Sequence, residues 1–321
     1  MLRRFRMLAV VPLVLALLSG GSGADATEDR AAAPGPKLRT DRAALAAAFA
    51  CTDNIGTSHR RAVLLVHGTG AVPDENFAWN YYDKLRQQGH PYCTITIPDR
   101  GMGDLQVNVE YVVFAIRQAY RLSGREIAVI GHSQGAFLPS YALRMWPDLA
   151  GKVEDFISYA GAITYGTDQG ALLCSLPCAE AFSQFTPGSN LLTELAKHPL
   201  PKGVSYTSFF TQYDEIVTPQ PKASTIVGPG ARNYLLQDLC PLDLAEHLLI
   251  IAEKPFFQLA FDALHHRGPG RLARVGKVAC GFDPQVIRAV PALPTFGLGI
   301  LTDYPADIAT EEPPLRGYWR R

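Results

Sequence analysis

The sequence predicts an α/β fold, a mostly parallel central sheet with helices on both faces and a cap-like excursion. Three observations carry this. From residue 62 onward, short apolar runs alternate with stretches of helical spacing, the rhythm of repeated βα units. The first of these runs, 62–66 (AVLLV), is apolar throughout, not at every second position, as a strand covered on both faces is. One stretch, 160–203, breaks the rhythm and holds Gly, Pro and two Cys around 190–197 (NLLTELAK). A segment that long between sheet strands is typically an excursion over an active site.

The elements follow in order. MLRRFR supplies three Arg, residues 7–18 (MLAVVPLVLALL) form an apolar run, and Ala24-Asp25-Ala26 reads as a cleavage site. Residues 1–26 are therefore expected to be a signal peptide and the protein to be secreted. The apolar run of 12 residues falls short of the roughly 20 that a spanning helix needs, so no stable membrane anchor is expected. Residues 27–40 are a polar, Pro/Gly-bearing leader, and 41–321 form a single domain. Asp41 is placed to cap an Ala-rich helix over 42–50. Strands are expected at 62–66 (AVLLV), 92–97, 126–130 (EIAVI), 153–159, 204–210 and 234–237 (YLLQ). Helices are expected at 76–88, ended by Gly89, at 108–122, closed by Ser123-Gly124, and at 134–145. The Pro-rich stretch 281–321 is expected to wrap the surface.

Composition excludes several classes. The 321 residues carry 30 Lys+Arg and 30 Asp+Glu, with 47% hydrophobic and 19% charged residues. That is too apolar for a disordered chain, and a neutral chain without basic blocks does not suit nucleic acid. Six cysteines, at 51, 93, 174, 178, 240 and 280, are expected to pair outside the cytosol, in any of many connectivities. A zinc site at Cys174/Cys178 would need a second Cys/His pair at matching spacing, and none follows. No metal and no cofactor are expected, and the chain is read as a monomer.

The chemistry centres on Gly131-His132-Ser133-Gln134-Gly135. This G-x-S-x-G follows the strand EIAVI and opens a helix, the context a nucleophile elbow demands. A serine hydroxyl needs a base, and in such enzymes the chain order is Ser, acid, His. Four histidines follow the serine: His198, His247, His265 and His266. His198 lies in the excursion, and His265-His266 read as solvated residues of a helix end. His247 fits the loop after the last strand. Asp214, ending the strand before it, is the acid, with Asp238 and Asp243 as rivals and Glu215 expected to point elsewhere. The oxyanion donors would be the amide of Gln134 and the glycine loop His67-Gly68-Thr69-Gly70 after AVLLV.

With these residues in place, the chain resembles the α/β-hydrolase family typified by Candida antarctica lipase B and its bacterial relatives. The similarity lies in five separated stretches: 66–70 (VHGTG), 105–112 (LQVNVEYV), 133–135 (SQG), 214–220 (DEIVTPQ) and 239–241 (LCP) before His247. The resemblance implies an α/β-hydrolase fold and ester hydrolysis through Ser133, His247 and Asp214. It places Ile216 and Val217 on an apolar pocket wall and has Thr69 donate to the oxyanion through both its N–H and its hydroxyl. It also implies disulfides Cys51–Cys93 and Cys240–Cys280, which leaves Cys174 and Cys178 for each other. His132 stands where the yeast member carries a Trp that floors the alcohol side of the pocket, which implies a roomier pocket here. Tyr159-Ala-Gly-Ala-Ile163 replaces a stretch that carries an Asp in that enzyme. A lipase acting on acylglycerols and other carboxylic esters, including at a lipid–water interface, is the leading expectation. The alternatives are a carboxylesterase or polyester depolymerase on the same triad, or a non-catalytic binding module.

Overall fold

The computed structural model describes residues 34–289 and 308–320. The proposed signal peptide and the first part of the leader lie outside the described residues, as does the middle of the Pro-rich stretch. The strands are β1 (Phe49–Cys51), β2 (Val63–Val66), β3 (Tyr92–Ile95), β4 (Ile127–His132), β5 (Val153–Tyr159), β6 (Cys178–Ala179), β7 (Ser205–Phe210), β8 (Arg232–Leu235) and β9 (Ile308–Ala309). Seven of them form one sheet in the order β1-β3-β2-β4-β5-β7-β8. Every pairing is parallel except β1 with β3.

The 62–66 run is continuous because both faces of β2 are covered. Val63 and Leu65 enter one core, and Leu64 and Val66 the other. The same alternation puts Val129 on one side of β4 and Ala128 and Ile130 on the opposite side. Helices Leu105–Ser123 and Gln134–Met145 cover the face that carries Leu64, Val66 and Val129. Helix Lys254–His265 covers the face that carries Val63, Leu65, Ala128 and Ile130, where Phe256 stacks on Phe209 at 4.4 Å between ring centroids. Phe256 is fully buried, so Phe256→Ala is expected to cost about 3–5 kcal/mol, lost burial plus an unfilled cavity. Urea unfolding should show a lowered midpoint with an unchanged slope. A loss under about 1 kcal/mol would mean the site collapses freely around the gap.

Three local expectations are corrected. The helix expected over 42–50 stops early, at Arg42–Ala47, and residues after it form the edge strand β1 against β3. The single helix expected over 76–88 is two, Pro73–Phe77 and Tyr81–Gln87, broken at Asn80 (φ −138°, ψ −72°). The last strand lies at Arg232–Leu235, ahead of 234–237, and leads into a short helix.

The excursion after β5 carries the helices Asp168–Leu173, Glu180–Phe185 and Asn190–Leu195. It docks on the main domain through Phe185 against Phe137 (5.0 Å) and through Gln184 Oε1, which accepts from Leu105 N–H at 2.7 Å. The C-terminal piece pairs β9 with β6. It then buries Trp319, whose Nε1 donates to Gln106 Oε1 at 3.0 Å. Among the described residues no helix is long and apolar enough to cross a membrane.

Candidate active site

Ser133 stands between β4 and the helix Gln134–Met145 with φ 58° and ψ −124°. A non-glycine residue held there costs of order 1–3 kcal/mol and persists only where its surroundings impose it. The imposing contacts are visible. Ser133 N–H donates to Tyr159 O at 2.8 Å, and Ser133 O accepts from Ala136 N–H at 2.9 Å. A Cβ at Gly131 would lie 1.9 Å from Gly135 O, and one at Gly135 would lie 2.0 Å from Val66 O. Both glycines of the motif are therefore required by close backbone approach, which throws the half-buried Ser133 out of the sheet at a helix N-terminus. Gly135→Ala is expected to abolish soluble, folded protein. A soluble variant with native melting would mean that the helix can lift from β2.

β7 ends before Thr211 and delivers Asp214, 5% exposed. Asp214 Oδ1 accepts from Ile216 N–H (3.0 Å) and Val217 N–H (2.7 Å), so the turn itself aims the carboxylate. His247 Nδ1 lies 2.9 Å from both Asp214 oxygens. A carboxylate only accepts, so this contact assigns the proton of neutral His247 to Nδ1 and leaves Nε2 with the lone pair a general base needs. The loop bearing His247 is held at several points. Thr211 Oγ1 donates to Ala245 O (2.8 Å), and Gln237 Nε2 donates to Asp243 O (3.0 Å). Glu215, expected to point elsewhere, reaches the backbone N–H of His247 at 3.3 Å, not its ring.

Among the described residues neither Asp238 nor Asp243 hydrogen-bonds to His247. Asp238 is exposed on a short helix, and Asp243 Oδ1 accepts from Ala245 N–H within its own turn. His198 packs on Trp319. His265 and His266 are exposed, and the ring of His266 sits 3.1 Å from Asp262.

The glycine loop after β2 runs against the serine, where a Cβ on Gly68 would sit 3.0 Å from Ser133 Cβ. His67 clips the base of this loop. Its Nε2 accepts from Ile97 N–H at 3.0 Å, and burial pushes its pKa down to about 4, so the ring is neutral. Gly70 N–H donates to Arg100 O at 2.7 Å, and Arg100 pairs with Glu75 at 2.6 Å. Thr69 and Gln134 are brought together, the Thr69 hydroxyl donating to Gln134 Oε1. In this arrangement the hydroxyl proton is engaged by Gln134, which leaves the backbone N–H as Thr69's contribution to an oxyanion.

His132 differs most from its sequence expectation. The ring is 4% exposed, with Nε2 2.9 Å from His247 O and Nδ1 3.2 Å from Asn76 Nδ2. Two partners inside the protein favour a packing role over the floor of an alcohol pocket. Ile216 is 40% exposed while Val217 is 3% exposed, so only the first presents its side chain openly. Sequence reasoning missed Asn76, Thr211 and Gln237, none of which belongs to a motif. The cysteines pair as Cys51–Cys93, Cys174–Cys178 and Cys240–Cys280, with no free cysteine among the described residues.

A parallel sheet that gathers a strained serine, a glycine loop and an Asp-bound histidine at the carboxyl ends of its strands follows the plan of the α/β-hydrolases. Comparison with known families agrees. The chain belongs to the alpha/beta hydrolase family, matched over residues 63–320. It is similar to lipase B of Pseudozyma antarctica, 28% identical over 279 residues covering 85% of this chain and 78% of that one. Among solved structures it resembles Aspergillus fumigatus lipase B, with a TM-score of 0.79 at 26% identity, covering 90% of this chain and 74% of that one. A mature Bacillus licheniformis lipase shares the fold at a TM-score of 0.50 and 16% identity, covering 67% of this chain and 97% of that one.

Proposed function

We propose that the chain is a secreted serine ester hydrolase of lipase type. Ser133 Oγ attacks the ester carbonyl while His247 Nε2 takes its proton, and Asp214 holds the imidazolium that forms. The tetrahedral oxyanion is met by the backbone N–H groups of Gln134 and Thr69. His247 then gives its proton to the departing alkoxide, leaving an acyl group on Ser133. Water, deprotonated by His247, adds to that acyl group, and the carboxylic acid leaves as Ser133 recovers its proton. General-base catalysis of this kind is worth about 10²–10⁴-fold, and each oxyanion donor about 2.7–4 kcal/mol.

The observation that carries the proposal is the two-oxygen contact of Asp214 with His247 Nδ1, on a loop whose carbonyl meets the residue beside Ser133. A preference for apolar acyl esters is supported by Ile216, Leu242 and Leu244, all exposed and flanking the acid and the base in sequence. Secretion is supported by the three disulfides, which persist in oxidising compartments. Residues 160–203 serve as the cap, and 41–321 as one catalytic domain behind the leader and signal peptide.

The test is a panel of p-nitrophenyl esters from short to long acyl chains, with wild type and Ser133→Ala. Turnover that rises toward longer chains and vanishes in the variant is expected. Turnover confined to acetate and butyrate would favour the carboxylesterase alternative.

A further inference from the structure

Two segments of the site, the glycine loop and the nucleophile turn, converge on one buried amide, and a third is reached through His132. Asn76 sits in the helix Pro73–Phe77 and is 6% exposed. Its Oδ1 accepts from Gly68 N–H at 2.8 Å. That bond fixes which end of the amide is oxygen, and both ends lie beside His132 Nδ1, Nδ2 at 3.2 Å and Oδ1 at 3.3 Å. At the other end of the imidazole, Nε2 lies 2.9 Å from the carbonyl of His247. A carbonyl only accepts, so Nε2 carries the proton and Nδ1 takes one from Asn76. The hydrogen bonds run in one direction without conflict: Gly68 N–H to Asn76, Asn76 to His132, His132 to His247 O.

We infer that His132 and Asn76 are positioning residues, which tie the base-bearing loop to the nucleophile turn and the glycine loop through one chain of buried hydrogen bonds. The inference rests on the triad reading above, since it gives the chain something to position. Neither residue needs to touch substrate. His132 is the residue before Ser133, so its grip on His247 O sets the height of the base over the serine hydroxyl. Gly68 precedes Thr69, so the same chain sets an oxyanion donor. The rings of His132 and His247 are 5.1 Å apart, close enough that a charged His132 would oppose the imidazolium formed in catalysis. Burial and the neighbouring His247 push the His132 pKa down to about 3, so the ring stays neutral at working pH and donates through Nε2 alone.

The discriminating variants are His132→Asn, His132→Gln and Asn76→Ala, assayed with a small soluble ester and with active-site concentration set by phosphonate labelling. Asn reaches the position of Nδ1 but not that of Nε2, whereas Gln can carry an N–H to His247 O. His132→Asn is expected to lower kcat by about 10–100-fold with KM within about twofold, because misplacement near 1 Å can cost about 10²-fold. His132→Gln should recover most of that loss. Asn76→Ala should lower kcat in the same way, and the double variant should be no worse than His132→Asn alone, since the chain is already broken.

Four results overturn the inference: wild-type kcat in folded His132→Asn; Gln no better than Asn; additive losses; or a loss appearing only in KM for bulky alcohol esters, which would return His132 to the pocket. Ser133→Ala separates the two levels. An inactive Ser133→Ala with unaffected His132→Asn sinks the positioning role alone, while an active Ser133→Ala sinks the triad and the positioning role together.

Discussion

Ser133→Ala is expected to abolish ester hydrolysis, lowering kcat on the order of 10⁶-fold while leaving the protein folded. The size follows from the loss of the covalent route, because without Oγ there is no acyl-enzyme and His247 has no proton to take. Some rate over water would remain from the oxyanion donors and substrate binding, roughly 10³–10⁴-fold in comparable triads. Folding should survive because the contacts that impose φ 58° at this position use the Ser133 backbone, which Ala retains. Ala is no worse suited than Ser to that backbone. The measurement pairs kcat on a p-nitrophenyl ester with a thermal melt. Activity within tenfold of wild type would place the nucleophile elsewhere.

Asp214→Asn is expected to cost about 10⁴-fold in kcat with little change in melting. The Asn oxygen can still accept from Ile216 and Val217 N–H, so the turn holds. The amide nitrogen, however, would face His247 Nδ1 as a donor and draw the imidazole proton to Nε2, the wrong tautomer for a base. The imidazolium would also lose its counter-charge. Asp238→Asn and Asp243→Asn should fall within a few-fold of wild type, one being exposed and the other committed to its own turn. If either loses far more than Asp214→Asn, the acid has been assigned to the wrong residue.

These residues were legible for a physical reason. A nucleophile elbow is local, since strand, turn and helix lie within about twenty consecutive residues, and EIAVIGHSQGAFLPSYALRM carries all three. Chain order then narrows the base to histidines after the serine. What escaped depends on partners far along the chain. Residues 49–50 read as the end of a helix because Ala favours helix locally, yet they belong to a strand because β3 offers an edge, with Cys51 opposite Cys93. The break at Asn80 is not written as Gly or Pro. The chemical type of His132 was plain, but its job depends on Asn76, 56 positions away, and on His247, 115 positions away. No spacing rule reaches that far. The 160–203 excursion was visible only as an interruption, because its short helices are defined by what they dock against.

The Cys240–Cys280 link has a practical consequence for making the protein. It fixes the start of the segment that leads to His247, so the loop bearing the proposed base is tethered covalently at one end. A host cytosol that keeps thiols reduced would synthesise the whole sheet, elbow included, yet leave that tether open. Chain closure there is worth up to about 4 kcal/mol in the chain-entropy account. Material recovered from a reducing compartment would therefore carry a correctly built Ser133 turn beside a loosely held His247 loop, and on the proposed triad the yield of soluble protein would overstate the yield of enzyme. Periplasmic or otherwise oxidising expression, scored by phosphonate titre per milligram rather than by band intensity, is the production route this covalent tether dictates.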